Sequence, residues 1–131
     1  MMRGIRNNNP GNIRHGAGWQ GLCSRQTDKS FCQFIAPEYG IRAMLKILRN
    51  YVKLYDDRTI RQFISRWAPP NENDTESYIA YVSDMVDISR DAVIDVNNQD
   101  VMTALVKAMI YMENGKQPYS DDVFTRAFEM L

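Results

Sequence analysis

After Pro37, apolar residues recur at the three- and four-residue spacing of a helix. This stretch carries Tyr39, Ile41, Met44, Leu45, Leu48, Val52 and Tyr55. Because these positions share one face of a helix, the pattern predicts an amphipathic helix over roughly residues 38–55.

Further segments repeat this spacing, and each follows a residue that favours a helix N-terminus. The predicted caps are Thr59, Thr75, Asn98 and Ser120. A run with two prolines, residues 68–74, ends the helix that follows Thr59. Ser89 is predicted to start one more short turn, so five or six helices are expected in all.

The first third of the chain has a different pattern. Residues 3–18 are rich in Asn and Gly and are typical of irregular structure. Residues 19–23 and 30–34 are typical of the two arms of a short β-hairpin. Cys23 and Cys32 would face each other across it, and either a disulfide or two buried free thiols fits that arrangement.

A length of 131 residues, of which 44% are hydrophobic, fits one domain over 1–131. Strands do not alternate with helices, which disfavours a parallel α/β sheet and predicts a mostly α fold. No apolar run approaches the roughly 20 residues that span a bilayer, so no membrane insertion is expected. The N-terminal residues have no apolar core, so no secretory signal peptide is expected.

The formal net charge is zero, but the charges are unevenly distributed. Residues 1–66 hold 12 of the 16 Lys and Arg and 4 of the 16 Asp and Glu, a net charge of +8. Residues 67–131 carry the opposite charge, −8. Either the two halves attract each other within the fold, or a basic face binds an anionic polymer. Nucleic acid is disfavoured because no recognition helix is recognisable.

Most catalytic chemistries lack their motif in this chain. There is no Gly-rich phosphate loop, zinc-ligand spacing or Gly-x-Ser-x-Gly turn, so neither a metal nor a cofactor is expected. A Cys–His nucleophile would have to use His15 with Cys23 or Cys32. Carboxylates are the remaining candidates, and glycoside cleavage uses them.

Glu113 is the strongest candidate among the carboxylates. It follows the apolar run from Val106 to Met112 and precedes Asn114-Gly115, which is typical of a helix C-terminus. An apolar wall and the carbonyl end of a helix both disfavour a negative charge. The position therefore predicts a raised pKa for the Glu113 carboxyl, as a general acid requires, although a solvated glutamate at a helix end also fits.

Polar groups suited to sugars are concentrated in residues 7–13, where Asn9 and Asn12 carry amides that can bind hydroxyl and N-acetyl groups. Trp19 could stack on a sugar ring, although a Trp at the start of a strand is more often part of a core.

Several of these segments together resemble phage and prophage virion proteins of structural or peptidoglycan-degrading type. The segments are Arg3-Gly-Ile-Arg-Asn-Asn-Asn-Pro-Gly-Asn-Ile-Arg14, Trp19-x-Gly21, Phe31-x-x-Phe34, Tyr39-Gly-Ile-Arg-Ala43, Arg66-Trp-Ala-Pro-Pro-Asn-Glu-Asn-Asp-Thr75, Tyr78-Ile79 and Met112-Glu-Asn-Gly115. The resemblance covers roughly residues 3–119.

The same segments also resemble glucosaminidase domains of the flagellar and autolysin type, but in rotated order. In those domains the catalytic helix comes first, whereas here the matching segment, residues 108–115, comes near the end. The resemblance therefore implies a circularly permuted, lysozyme-like fold with five or six helices and one small β-hairpin. Permutation is tolerated where the chain termini lie close together at the surface.

The resemblance also implies roles for individual residues. Glu113 would be the general acid, Tyr78 would steady the substrate N-acetyl group or the transition state, and Asp28 would be a second carboxylate. Glu72 is the alternative acid. This chain departs from those relatives at Asn114, where they carry Ser.

The expected function is a glycosidase acting on peptidoglycan: a glucosaminidase, a muramidase or a lytic transglycosylase. The alternative is a non-catalytic glycan-binding virion protein. The expected partners are peptidoglycan strands and virion components. Delivery by a secretion system would instead call for a periplasmic immunity protein, and action is expected in the periplasm or cell wall of a target bacterium.

Overall fold

Six helices follow one another along the chain, and the computed structural model describes all residues from 1 to 131. The helices are α1 (Arg3–Arg6), α2 (Pro37–Tyr55), α3 (Ile60–Trp67), α4 (Thr75–Val86), α5 (Gln99–Asn114) and α6 (Asp121–Glu129). The predicted mostly α class is confirmed, whereas the finer likeness to lysozymes stays a prediction. None of the helices combines the length and the apolar character that crossing a membrane requires.

Periodicity located α2 correctly, since the helix covers the predicted 38–55 with one residue more. Ile41, Met44 and Leu48 are fully buried on its apolar face. Burying a side chain of this size stabilises a fold by roughly 1.5–3 kcal/mol. This gain exceeds the lower helix propensity of the β-branched residues in the same stretch.

The cap predicted for α3 is confirmed in full. The Thr59 side chain accepts a hydrogen bond from the backbone N–H of Gln62, and the Gln62 side chain accepts one from the Thr59 N–H. This reciprocal pair satisfies two backbone donors that a helix N-terminus would otherwise leave unpaired.

The cap predicted for α4 is wrong by one residue. Asp74 is the N-cap, and its carboxylate accepts from the backbone N–H of Ser77. Thr75 is the first helical residue, and its hydroxyl donates to the Ala68 carbonyl at 2.6 Å. Both residues can cap a helix, and that bond to Ala68 uses the Thr75 hydroxyl elsewhere.

The remaining caps differ in how they use their side chains. Asn98 caps α5 as predicted, because its side-chain oxygen accepts from the Val101 N–H at 3.1 Å. Ser120 stands at the N-cap of α6 without a side-chain bond. Ser89 begins a turn closed by Ala92, not a helix.

The predicted hairpin is wrong in its extent. No strand forms, and only two isolated antiparallel bridges occur, Arg14 with Phe31 and Leu22 with Phe34. Residues 30–35 thus pair with residues 13–15 on one side and with residues 21–23 on the other.

Side-chain amides explain why a ladder does not extend here. Gln26 donates to the carbonyls of Cys23 and Gln33, and its own oxygen accepts from the Gln33 N–H. The Gln33 side chain in turn accepts from the backbone N–H of Thr27. These side-chain amides bond to backbone groups that a hairpin ladder would otherwise pair with each other. The pattern of apolar and polar residues does not reveal this competition.

Cys23 and Cys32 are both free thiols, so no disulfide forms, but only Cys32 is buried as the second predicted alternative had both, and Cys23 is half-buried. The Cys32 N–H bonds to the Ile13 carbonyl, whereas the Cys23 N–H bonds to Gln33. Burial raises the pKa of the Cys32 thiol. A raised pKa keeps a thiol protonated and unreactive at neutral pH, which does not favour the Cys–His alternative.

The chain forms two compact units, of which the first comprises residues 1–46 and 109–131 and the second residues 47–108. The single domain over 1–131 stays a prediction. In the second unit α3 packs against α4, and Ile60, Phe63, Ile79 and Val82 are buried there.

In the first unit, α2 touches the loop after α1 through Gly40. A Cβ atom at position 40 would collide with the backbone oxygen of Asn8 and meet the Pro10 ring at 3.0 Å. Only a residue without a side chain lets helix and loop approach this closely.

We expect Gly40→Ala to lower the free energy of unfolding by about 1–2 kcal/mol. Alanine normally stabilises a helix by about 1 kcal/mol over glycine, but forcing a methyl into a filled site costs roughly 1–3 kcal/mol. Urea denaturation followed by circular dichroism measures the change.

The matched control is Gly18→Ala, because a Cβ atom at position 18 meets nothing within 4 Å. Its effect should stay within about 0.5 kcal/mol. A Gly40→Ala variant as stable as the wild type would contradict the close approach.

Candidate active site

The asparagine-rich segment after α1 is a tightly folded loop, residues 7–12, called here the Asn loop. Asn8 and Asn12 both have φ of 52°, in the left-handed region that asparagine tolerates better than most residues. The Asn9 N–H bonds back to the Gly4 carbonyl at 2.8 Å. The repeated asparagines are thus partly a requirement of the backbone.

The Asn9 side chain stabilises this loop from the inside. It is fully buried, and its amide nitrogen donates to the carbonyls of Ile13 at 2.9 Å and Cys32 at 3.0 Å. Its side-chain oxygen accepts from the Ile13 N–H at 2.9 Å. With every polar atom engaged and none exposed, Asn9 supports the loop, which does not favour the sugar contact predicted for it.

Asn114, the last residue of α5, fastens the Asn loop to that helix. Its side chain is buried, and its amide nitrogen donates to the carbonyls of Pro10 at 2.8 Å and Ile110 at 2.9 Å. The Asn114 side-chain oxygen has no hydrogen-bond partner. A Cβ atom at position 4 would meet that oxygen at 2.6 Å, so glycine is needed there too.

Glu113 and Asn12 meet as a result. The Asn12 amide nitrogen donates to Glu113 Oε1 at 3.2 Å, although 101 positions separate the two residues. Both side chains are half-buried. Two residues that the sequence analysis selected separately therefore lie in contact.

Glu113 lies where α5 ends, as predicted. Gly115 has φ of 74°, and its N–H bonds to the Tyr111 carbonyl at 2.7 Å, which closes the helix. The preceding turn contains the fully buried Met109 and Ile110. The carboxyl thus stands at the negative end of the helix dipole, next to buried apolar residues.

Asp28 is held by five hydrogen bonds. Arg3 donates to both of its oxygens at 2.6 Å, Asn7 donates at 3.0 Å, and the backbone N–H groups of Ser30 and Phe31 donate at 2.9 and 3.0 Å. These contacts, with Arg3 the largest contributor, hold the pKa of the Asp28 carboxyl far below its usual range. Such a group organises its own turn and does not suit the catalytic role predicted for it.

The other predicted site residues stay predictions. Trp19 is half-buried in the first unit, just after Gly18. Glu72 and Tyr78 belong to the second unit, where Glu72 is exposed and Tyr78 is buried in α4. No His, Cys, Asp or Glu side chains gather in a group of three or more that could hold a metal ion.

The second unit has a polar depression of about 320 Å³ on α3, lined by Asp57, Arg61, Gln62, Ser65 and Arg66. Arg66 donates to the buried Asp57 carboxylate at 2.6 Å, and its guanidinium lies 3.7 Å from the centre of the Tyr55 ring. None of the predicted site residues lines this depression.

No protein-family model matches the chain. The chain is, however, 43% identical over 131 residues to Protein P5 of Pseudoalteromonas phage PM2. The alignment covers 97% of this chain and 80% of that protein.

The chain belongs to the Protein P5 family. An identity of this level over nearly the whole chain places the two proteins on one fold. The phage part of the predicted resemblance is thereby confirmed.

Within this P5-family chain, sequence reasoning missed Asn114 and Gly4 as parts of the site. Asn114 was interpreted as part of a helix stop and as a departure from the relatives, yet its side chain carries the bond between α5 and the Asn loop. The sequence did contain one indication of this role, since the chain has Asn114 where the glucosaminidase relatives have serine. Gly4 offered no signal, because a close approach depends on the folded partner.

We expect Asp28→Asn to lower the unfolding temperature at pH 7. The folded-state pKa of Asp28 lies below its unfolded value of about 3.9, so the charged form contributes stability above that value. The contribution begins to be lost as the pH falls below about 4 and would vanish only near the much lower folded-state pKa, so the difference between the two unfolding temperatures should shrink steadily from pH 5 to pH 3.

Glu129→Gln is the matched control, because Glu129 is an exposed acid of the same unit. It should leave the unfolding temperature nearly unchanged at pH 7. A constant difference between wild type and Asp28→Asn from pH 7 to pH 3 would disprove the role of the charge.

Proposed function

We propose that this phage protein is a glycosidase that cleaves the glycan strands of bacterial peptidoglycan, with Glu113 as its general acid. The contact between the Asn12 amide and the Glu113 carboxyl, at 3.2 Å, carries the proposal. It places a hydrogen-bonding amide, suited to sugar hydroxyl and N-acetyl groups, beside the one carboxyl that the sequence favours as an acid.

The chemistry assigned to Glu113 is the transfer of one proton. The protonated carboxyl donates to the glycosidic oxygen, the bond from that oxygen to C1 breaks, and the departing sugar keeps the proton as a hydroxyl. Water or the sugar's own C6 hydroxyl then bonds to C1, and the proton that it loses returns to the Glu113 carboxylate. The carbonyl end of the helix disfavours a nearby negative charge, whereas the hydrogen bond donated by Asn12 acts in the opposite direction.

To serve as the second carboxylate of a two-acid mechanism, Asp28 would have to give up its bonds to Arg3. The products distinguish the routes. Capture of C1 by water leaves a reducing sugar, whereas internal capture leaves an anhydro-sugar lighter by one water. Mass spectrometry of the released muropeptides separates the two.

Membership of a phage family supports delivery by a phage particle or during phage-induced lysis. Within this proposal the protein reaches the cell wall of a bacterial host, and virion components are its partners. A secreted antibacterial effector with an immunity protein is the alternative route.

We expect Glu113→Gln to reduce the lysis of purified sacculi by roughly 10²–10⁴-fold, the usual contribution of a general acid. Glutamine keeps the size of the side chain and can still meet Asn12, so the helical circular dichroism should be unchanged. Turbidity loss and muropeptide release measure the activity.

Two further variants make the result specific. Glu129→Gln removes an exposed acid of the same unit and should retain wild-type lysis. Glu72→Gln tests the alternative acid, and loss of lysis there with full activity in Glu113→Gln would move the assignment to Glu72. Wild-type protein that binds sacculi and releases nothing would favour the non-catalytic virion protein.

A further inference from the structure

Two guanidinium groups lie over the ring of Phe31 in the first unit. The central carbon of the Arg3 guanidinium is 4.5 Å from the ring centroid, and that of Arg14 is 5.0 Å away. Cation–π contacts at these distances restrain a long side chain without neutralising its charge.

The two arginines differ in what else they bind. Arg3 forms a bidentate ion pair with Asp28, so its charge is balanced. Arg14 has an exposed side chain and forms no ion pair, while its backbone is fixed by the bridge to Phe31. Arg14 thus presents a held but unbalanced guanidinium.

The surroundings of Arg14 are also positively charged. Lys29 is exposed and follows Asp28, whose carboxylate is already occupied by Arg3. The exposed His15 ring bonds to the Asp28 backbone oxygen at 2.6 Å. This Arg14 patch, comprising Arg14, His15, Lys29 and Phe31, is therefore suited to an anion.

The Arg14 patch continues the Asn loop along the chain. Asn12 contacts Glu113, and Arg14 follows two residues later. Two residues span at most about 7 Å of backbone, so the backbone of Arg14 lies within about 7 Å of the backbone of Asn12. This distance is comparable to the length of one sugar residue. Ile13 lies between Asn12 and Arg14 in the chain, and its side chain is buried. The Arg14 side chain is exposed and therefore faces away from the side on which Ile13 is buried.

We propose that Arg14 binds a carboxylate of the peptide that peptidoglycan glycan strands carry, so that the site prefers peptide-bearing strands. The inference rests on the proposed function, because that function brings a glycan strand to Asn12 and Glu113. A guanidinium pairs with a carboxylate through two parallel hydrogen bonds, and a ring that restrains it reduces the entropy lost on binding. In a peptide-bearing strand the lactyl carboxyl of N-acetylmuramic acid is consumed in the amide bond to the peptide, so the carboxylates available to Arg14 are those of the peptide.

The test compares two soluble probes in titration calorimetry, a peptidoglycan disaccharide with its tetrapeptide and the same disaccharide with its lactyl carboxyl capped as a simple amide, which carries no carboxylate. We expect wild-type protein to bind the peptide-bearing probe about fivefold more tightly, a modest ratio because the pair is exposed. Arg14→Gln should bring the ratio close to one. Arg14→Lys should keep part of it, because lysine retains the charge but not the bidentate geometry.

Arg25→Gln is the matched control, an exposed arginine of the same unit without an ion pair. It should keep the wild-type ratio. An equal fall in Arg25→Gln would show unspecific attraction and overturn the inference, as would a ratio near one in the wild type. Binding of a short DNA duplex that is lost in Arg14→Gln, without preference between the sugars, would assign the patch to nucleic acid instead.

The calorimetric ratio measures binding, and repeating the titrations with Glu113→Gln excludes heat from cleavage of the probes, so the two proposals fail separately. Wild-type protein that lyses sacculi but binds both disaccharides equally refutes only the role of Arg14. Wild-type protein that shows the preference but releases no muropeptide refutes only the glycosidase. Binding of neither disaccharide refutes the role of Arg14 directly.

Discussion

The close packing of the Asn loop against three neighbours is the constraint on which the first unit depends. Gly40 in α2 and Gly4 in α1 let the loop backbone and its amides approach to contact, and Asn114 in α5 bonds to the loop at Pro10. Each neighbour comes from a different helix, so the loop joins three elements that lie far apart in the sequence. Buried amides fit such a junction, because they satisfy backbone groups that apolar side chains would leave unpaired.

This constraint also explains how a loop can hold a functional group in place. Asn12 reaches Glu113 because Asn9 braces the loop from inside and Asn114, the neighbour of Glu113, fastens it from outside. Loops are usually the mobile parts of a fold, and sites built on them need such supporting bonds to keep their geometry. The supporting residues are here as important to the site as the two in contact.

Helices α2, α3 and α5 could be predicted because their information is local. Periodic apolar positions mark the buried face, and the caps at Thr59 and Asn98 stand beside it in the sequence. The hairpin was predicted wrongly, since Gln26 and Gln33 bond to the backbone in a way that pairing rules do not include.

The same distinction between local and long-range information separates the parts of the candidate site that could be predicted from those that could not. Glu113 was selected for its position at the end of an apolar helix, and Asn12 for its amide. The occupation of Asp28 by Arg3, the burial of Asn9 and the bond from Asn114 to Pro10 are contacts across long stretches of sequence. They depend on the folded chain and leave no pattern in neighbouring residues.

The uneven charge finds a different explanation in each unit. In the second unit, Arg61 pairs with Asp91 at 2.7 Å, and Arg90 pairs with Glu76, so basic and acidic positions meet within the fold. In the first unit, Arg14 is held over an aromatic ring and meets no acid. Exposed ion pairs contribute little stability, whereas an unbalanced cation on a fixed backbone is available to a ligand. The attraction between the halves therefore accounts for the Arg61–Asp91 pair, and the anionic ligand proposed above would account for Arg14.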